Sequence, residues 1–217
     1  MGGRGYSSAT ARRSSQVKAM SGVKKYGFKL PGAAHGFTAN SFGSYMKNGL
    51  DRKIVDAQLK RDKKSEFGQM AQAMDQYMAG RNVSGDMHRG MSVDKKTLKA
   101  LQNGKFPNRA TVSSWSLDNG VAFEFATGTA YQHAFNGDKR DIPVMFTIKG
   151  GIKNAADLDK TVGVPRMYNR GSGVWVQSSG YTEREVLSHS KNKFKIVGYE
   201  EGSYRKSGVH RFLVEQA

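Results

Sequence analysis

The sequence predicts an α+β fold with mixed or antiparallel sheets. Apolar residues recur at helical spacing in the first half of the chain, and short segments of alternating apolar and polar residues follow from about residue 142 onward. No regular alternation of strands and helices runs through the sequence, as a doubly wound parallel sheet would require. With 217 residues, of which 37% are hydrophobic, the chain is also long enough to bury a substantial core.

Three segments predict helices, all before the main group of strands. The first, "IVDAQLKRDKKSEFGQMAQAMDQYM" at 54–78, places apolar side chains three and four residues apart, and Gly80 is its predicted end. The second, "SVDKKTLKALQNGKF" at 92–106, has Ser92 as its predicted N-cap and Gly104 as its predicted end. The third, at 117–135, begins "LDNGVAFEFA".

Seven short segments predict strands. The clearest is "IPVMFTIKG" at 142–150, because Val144, Phe146 and Ile148 alternate toward one face. The other six are "DMHRGM" at 86–91, "RATVSSW" at 109–115, "GVWVQ" at 173–177, "REVLSH" at 184–189, "FKIVGYE" at 194–200 and "HRFLVEQ" at 210–216.

Charge is distributed unevenly along the chain, whose formal net charge is +17. No Asp or Glu precedes Asp51, whereas eight basic residues do: Arg4, Arg12, Arg13, Lys18, Lys24, Lys25, Lys29 and Lys47. Residues 1–40 are also rich in Gly, Ser and Ala, so we predict a flexible basic arm there, followed by one domain at 41–217. Such an arm indicates a polyanionic partner, either nucleic acid or an acidic protein surface. The alternative is that it only increases solubility.

Several classes of protein and site are excluded. The chain has no cysteine, which rules out disulfides, thiolate zinc sites and a cysteine nucleophile. No run of 18 apolar residues and no secretory signal occur, so we expect no membrane partner and a cytoplasmic location. Nucleotide-binding glycine motifs and the G-x-S-x-G nucleophile motif are missing too. The five histidines lack metal-ligand spacing and the acidic residues form no cluster, so we expect no metal.

Two glutamates one residue apart are unusual in so basic a chain. In "SGYTEREVLSH", an extended Thr182–Ser188 segment would place Glu183 and Glu185 on the same face. Two like charges side by side repel, which raises the pKa of one of them. The alternative interpretation is a solvated edge strand in which Arg184 offsets its neighbours.

The order of three motifs resembles the mono-ADP-ribosyltransferases of the arginine–serine–glutamate class, which includes the clostridial binary toxins and transferases of tailed phages. Arg89-Gly90 matches the arginine-glycine pair, Ser114-Trp115-Ser116 the serine motif, and Glu183-Arg184-Glu185 the Glu-x-Glu motif before a valine-leucine strand. The resemblance covers roughly residues 45–217. The chain departs from the family pattern at His88, where an aromatic residue is usual, and at Trp115, where the middle residue is commonly threonine.

The resemblance implies two small mixed or antiparallel β-sheets at a steep angle, N-terminal helices against one side, and a cleft that binds NAD⁺ as a substrate. Arg89 is then expected to orient the dinucleotide, and the backbone of Gly90 to approach the nicotinamide amide. Ser114 would hydrogen-bond the nicotinamide ribose or carboxamide, and Ser116 would hold the catalytic glutamate. That glutamate is Glu185, whose carboxylate would stabilise the oxocarbenium-like transition state.

On the acceptor side, the resemblance implies that Glu183 positions and deprotonates an arginine guanidinium and that Tyr181 meets the target protein. The expected activity is transfer of ADP-ribose from NAD⁺ to arginine residues of a protein, in the cytoplasm of a host cell. The opening "MGGRG" is similar to transferase-like proteins of phage head-gene clusters. This leaves open a virion-associated structural component with a DNA- or shell-binding arm. Hydrolysis of NAD⁺ and modification of a nucleic-acid base are further alternatives.

Overall fold

The structure, a computed structural model, describes residues 34–45, 50–127, 142–162, 166–169, 174–177, 184–202 and 208–217, with backbone alone at 166–169 and 174–177. The helices in these ranges are α1 (Gly36–Tyr45), α2 (Leu50–Leu59), α3 (Glu66–Met78), α4 (Lys95–Gln102), α5 (Asn119–Thr127) and α6 (Leu158–Val162). The strands are β1 (Asn82–Ser84), β2 (Met87–Val93), β3 (Ser113–Ser116), β4 (Ile142–Ile148), β5 (Gly151–Lys153), β6 (Ala155–Asp157), β7 (Arg166–Asn169), β8 (Val174–Gln177), β9 (Glu185–Ser188), β10 (Phe194–Glu200) and β11 (His210–Gln216).

Seven strands form one mixed sheet in the order β10-β11-β4-β2-β3-β9-β6, which confirms the predicted α+β class. β2 pairs with β4 along its whole length, from Met87 to Val93, but it meets β3 at one register pair, His88 with Ser116. The sheet therefore consists of two halves that are joined at this pair and separate beyond it. Two smaller antiparallel pairs, β1-β5 and β7-β8, complete the described strands.

The first predicted helix is two helices, and the prediction of a continuous helix over 54–78 is wrong. A turn separates α2 from α3 because the Asp62 carboxylate accepts hydrogen bonds from the backbone N–H groups of Lys64 (2.9 Å) and Ser65 (3.1 Å). The Ser65 hydroxyl then caps α3 by accepting from the Gly68 N–H at 3.1 Å. A side chain that satisfies nearby backbone donors in this way competes with the helix.

The N-cap of α4 is Asp94, not the predicted Ser92. The Asp94 carboxylate accepts from the Thr97 N–H at 2.6 Å. Ser92 still belongs to β2, and its hydroxyl donates to the Ala126 carbonyl oxygen of α5 at 3.3 Å. The predicted end at Gly104 has the positive φ (+77°) that favours glycine after a helix.

The described residues form two large apolar cores and a small third cluster, in which Ala122 and Ala126 of α5 pack against Met145 and Val209. The helical core joins α1, α2 and α3 to α6 and β9, and its fully buried members include Phe42, Ile54 and Met74. The sheet core lies against α4 and is built around a group of aromatic rings. Those rings are Phe106, Trp115, Phe146, Phe194 and Phe212.

The helical layer begins before residue 41, where the sequence places the start of the domain. The Ala34 N–H donates to the Thr161 carbonyl oxygen at 3.0 Å, and Ala39 in α1 is buried. Residues 34–40, which the sequence assigns to the arm, therefore pack on the domain, and the rest of the predicted arm at 1–40 lies outside the described residues. Within the described helices, none has the length and hydropathy needed to cross a membrane.

Candidate active site

A cleft opens where the two halves of the sheet separate, and it brings five predicted site residues together. We call it the central cleft. Its walls come from β2, β3, β9 and α5, with α1 and α2 at one side. Its lining residues are Tyr45, Asp51, His88, Arg89, Gly90, Ser114, Trp115, Ser116, Val121, Ala122, Phe125 and Glu185.

Glu185 is held at the start of β9 by a short hydrogen bond. The Ser114 hydroxyl donates to Glu185 Oε1 at 2.6 Å, and the carboxylate residue is only 7% exposed. The sheet register explains the contact, since Ser116 lies opposite Glu185 and Ser114 is two residues away on the same face. A hydrogen bond of this length to a carboxylate fixes the position of the negative charge.

Ser116 is also buried, and it shapes the turn that follows β3. Its hydroxyl oxygen accepts from the Asp118 N–H at 2.9 Å, and Asp118 Oδ1 accepts in turn from the Gly120 N–H at 2.8 Å near the start of α5. The described contact to the Glu185 carboxylate comes from the Ser114 hydroxyl, and a role of Ser116 in holding that glutamate stays a prediction.

Arg89 contributes positive charge to the cleft from within the protein. Burial lowers the pKa of its guanidinium, the nearby Tyr45 opposes that change, and the positive charge of Arg109 adds to it. Arginine stays charged at neutral pH even so. Across the described ranges, no carboxylate forms an ion pair with Arg89 and no acceptor forms a hydrogen bond with it. Its donors are therefore available to an anionic ligand.

Gly90 is required by the packing of α5. A Cβ atom at this position would lie 1.7 Å from the Ala122 carbonyl oxygen and 2.6 Å from the Ala126 nitrogen. Any side chain would therefore displace the helix. The structure therefore gives a packing reason for this glycine, and the approach of its backbone to a nicotinamide amide stays a prediction.

The acceptor side of the site falls mostly outside the described residues, which include neither Glu183 nor Tyr181. Arg184 is described, and its φ of +43° is left-handed, so the prediction that Thr182–Ser188 is extended throughout is wrong at that residue. The strand starts at Glu185. The Arg184 carbonyl oxygen accepts from the Leu117 N–H at 3.1 Å, which ties the entry to β9 to the exit from β3.

Three lining residues with ionisable side chains were not predicted from the sequence as site residues: Tyr45, Asp51 and His88. Tyr45 and Asp51 reach the cleft because α1 and α2 pack beside it. No sequence pattern near the three motifs indicates that packing. His88 did carry a signal, since it departs from the family pattern. Its Nδ1 lies 3.1 Å from Thr147 Oγ1, and burial lowers the pKa of the imidazole, which favours its neutral form at pH 7.

The described residues include no group of three or more His, Cys, Asp and Glu side chains that could hold a metal ion. The polar side chains that line the central cleft include Glu185, Ser114 and Arg89. A fixed anion lies on one wall and a cation with free donors lies on the other. This arrangement suits a ligand that carries phosphate at one point and develops positive charge at another.

No protein-family model matches the sequence, and no curated protein matches it. Several solved structures are similar to the chain. Vis, an ADP-ribosyltransferase toxin from Vibrio splendidus solved with agmatine, shares 16% identity over 100% of this chain and 88% of its own, with a TM-score of 0.55. Exoenzyme S from Pseudomonas aeruginosa, in complex with human 14-3-3 protein beta and bound to carba-NAD, shares 15% over 95% and 89%, with a TM-score of 0.51. The Clostridium limosum C3 exoenzyme shares 13% over 93% and 94%, with a TM-score of 0.50.

These similarities confirm the fold that the three motifs predicted. The chain has the fold of the mono-ADP-ribosyltransferases, at sequence identities too low to extend the comparison to substrates.

Proposed function

We propose that this protein is an NAD⁺-dependent mono-ADP-ribosyltransferase that modifies arginine residues of a target protein. The observation that carries the proposal is the 2.6 Å hydrogen bond from the Ser114 hydroxyl to Glu185 Oε1, in a cleft that also presents the Arg89 guanidinium. Two similar structures support it. Exoenzyme S was solved with an NAD analogue, and Vis was solved with agmatine, which ends in a guanidinium group.

In the proposed reaction, the bond between the ribose C1′ and the nicotinamide nitrogen breaks, and its electron pair leaves with neutral nicotinamide. Positive charge then spreads over C1′ and the ring oxygen. The Glu185 carboxylate stabilises this charge, as a fixed carboxylate does in glycoside hydrolysis. Because Ser114 already holds the carboxylate, little reorganisation is needed when the charge develops. Arg89 binds the diphosphate and so positions the ribose.

The acceptor completes the reaction by attacking C1′. A guanidinium nitrogen must lose a proton as its new bond forms, and Glu183 is the proposed proton acceptor. Water can attack the same cation, so NAD⁺ hydrolysis is the expected activity when no acceptor is present. In this scheme Glu185 acts on NAD⁺, the ADP-ribose donor, and Glu183 acts on the arginine that accepts the ADP-ribose.

The test separates the two glutamates by measuring two rates for each variant, nicotinamide release without acceptor and label transfer to an arginine-rich protein. Glu185→Gln should lose both rates by roughly 10²- to 10³-fold, because both pass through the same cation. Glu183→Gln should keep hydrolysis and lose transfer. Both changes are near-isosteric, so both variants should unfold close to the wild-type temperature.

Hydrolysis that survives in Glu185→Gln would contradict the proposed mechanism. Equal loss of both rates in Glu183→Gln would contradict the division of roles. Mass spectrometry of targets labelled from NAD⁺ would then identify the acceptor, and label on a nucleic-acid base or on a residue other than arginine would overturn the arginine assignment.

A further inference from the structure

A second cavity adjoins the central cleft and has no acidic lining. It shares Tyr45, Arg89 and Ser114 with the cleft and is bounded further by Phe106, Asn108 and Arg109. No Asp or Glu from the described part of the chain lines it. The two spaces therefore adjoin at Arg89, which places the second cavity on the side of this guanidinium where a long ligand bound at Glu185 would have its other end.

Two guanidinium groups, those of Arg89 and Arg109, line this cavity. Arg109 is close enough to Arg89 that its positive charge helps to lower the Arg89 pKa. In the ranges that the structure describes, neither side chain forms an ion pair or a hydrogen bond with a protein group. The two guanidinium groups carry like charges and offer ten N–H donors in total. An anion with several oxygen atoms would reduce their repulsion and accept hydrogen bonds from both.

The segment that carries Arg109 is anchored by the Phe106 ring and the Asn108 side chain. Phe106 packs against Trp115, Phe146 and Phe194, with ring centroids 6.5, 5.0 and 5.5 Å away.

The Asn108 side chain adds a double hydrogen bond to the β10 backbone. Asn108 Nδ2 donates to the Phe194 carbonyl oxygen and Oδ1 accepts from the Phe194 N–H, both at 2.8 Å. Arg109 follows directly, so its Cα position is fixed although its side chain is exposed. A rigid base under a long cationic side chain lowers the entropy cost of binding a ligand there.

We propose that Arg109 is a second diphosphate ligand beside Arg89, and that the second cavity receives the adenylate half of the dinucleotide. This inference rests on the proposed function for the identity of the ligand. The positions fit the chemistry of NAD⁺, which carries its diphosphate between a nicotinamide ribose and an adenosine. With the ribose at Glu185 and the diphosphate at Arg89, the remaining half of the molecule extends past Arg109.

The experiment compares Arg109→Gln with Lys105→Gln, which removes the same charge from an exposed residue of the same segment that does not line the cavity. We expect Arg109→Gln to raise the KM for NAD⁺ in the hydrolysis reaction by roughly 10- to 100-fold, as for loss of a hydrogen bond to a charged group. The kcat should change little, because Glu185 and Ser114 are untouched. Inhibition by ADP-ribose should weaken by a similar factor, and inhibition by nicotinamide should stay the same. Lys105→Gln should match the wild type in all of these.

Inorganic pyrophosphate tests the anion site without turnover. It should raise the unfolding temperature of the wild type and of Lys105→Gln, and raise that of Arg109→Gln much less. Arg109→Lys keeps the charge but loses the planar pair of donors, so it should lie between the two.

The outcomes separate the inference from the proposed function. If Arg109→Gln behaves as Lys105→Gln does, Arg109 is not a ligand, although the enzyme still turns over NAD⁺. If the wild type does not hydrolyse NAD⁺ but pyrophosphate stabilises it through Arg109, the diphosphate site stands and the proposed function fails. Should Arg109→Gln unfold without ligand, the comparison is made with Arg109→Lys, and an unchanged KM in that variant overturns the inference.

Discussion

The two serines of β3 have different partners, so their removal should have different effects. Ser114→Ala takes away the donor to Glu185 Oε1, and the carboxylate is then free to move away from the ribose. We expect kcat for NAD⁺ hydrolysis to fall roughly 10-fold or more, as for a hydrogen bond to a charged group. Ser116→Ala removes the acceptor for the Asp118 N–H, which should cost about 1 kcal/mol of stability and a smaller part of kcat.

Steady-state hydrolysis and thermal unfolding of both variants check this prediction. The expected pattern is the larger loss of kcat in Ser114→Ala and the larger loss of unfolding temperature in Ser116→Ala. The reverse pattern would favour Ser116, the residue predicted from the sequence, as the one that holds Glu185.

At the scale of residues, the sequence could predict those members of the cleft that lie in short motifs. Arg89, Ser114 and Glu185 each occupy a strand, where the order of a few residues decides which side chain faces the cleft. Tyr45, and Arg109 in the second cavity, could not be found in this way. They reach these spaces because a helix and an anchored loop pack there, and that packing depends on residues far away in the sequence.

At the scale of elements, alternation was a good guide where strands are long and buried on one face. β4, β10 and β11 are seven residues each and lie where the pattern predicts them. The three-residue strands β1, β5 and β6 were missed, because so short a strand depends on pairing with distant partners, as β1 does with β5. The break between α2 and α3 was missed because it depends on side-chain hydrogen bonds of Asp62 and Ser65.

The contact between β2 and α5 gives a prediction for an element. Gly90→Ala places a Cβ atom against the Ala122 carbonyl oxygen. Because that oxygen belongs to the helix backbone, the clash is relieved only if α5 moves away from β2. We expect a loss of about 3 kcal/mol of stability, at the upper end for overpacking, together with loss of NAD⁺ hydrolysis as the cleft wall shifts.

Gly104→Ala is the matched control. Gly104 also has a special role, a φ of +77° after α4, but no atom lies within 4 Å of its added Cβ. Its cost should be about 1 kcal/mol from backbone strain alone, with hydrolysis retained. Chemical denaturation of both variants measures the difference, and equal costs would mean that the space beside Gly90 is not what requires a glycine.

At the scale of the whole molecule, the site depends on one sheet that separates into two halves, with helices packed on both of its sides. β2 and β3 meet at one pair and then separate, α5 closes the cleft from one side, and α1 and α2 bring Tyr45 and Asp51 from the other. The helical layer is therefore part of the site. The Ala34 N–H, bonded to the Thr161 carbonyl oxygen at 3.0 Å, shows that this layer includes residue 34, within the predicted arm at 1–40.

The Ala34 contact shows how much of the basic arm can be removed without cutting α1. Deletion of residues 1–33 removes Arg4, Arg12, Arg13, Lys18, Lys24, Lys25 and Lys29 but leaves α1 whole. NAD⁺ hydrolysis and the unfolding temperature should then stay near wild type, while binding to duplex DNA, used as a polyanion probe, should weaken. For the wild type, the logarithm of the affinity should fall linearly with the logarithm of the salt concentration, because each neutralised phosphate releases counterions. After the deletion fewer phosphates are neutralised, so the slope should become shallower.

Deletion of residues 1–40 should behave differently, because it cuts α1 after its fifth residue and removes the buried Ala39. The shortened helix would leave Phe42 and Tyr45 weakly held, and Tyr45 lies beside Arg89 in the cleft. We expect this variant to unfold at a lower temperature and to have a raised KM for NAD⁺. Loss of hydrolysis already on deletion of 1–33 would mean that the basic segment belongs to the catalytic domain, and unchanged DNA binding would mean that the segment does not bind polyanions.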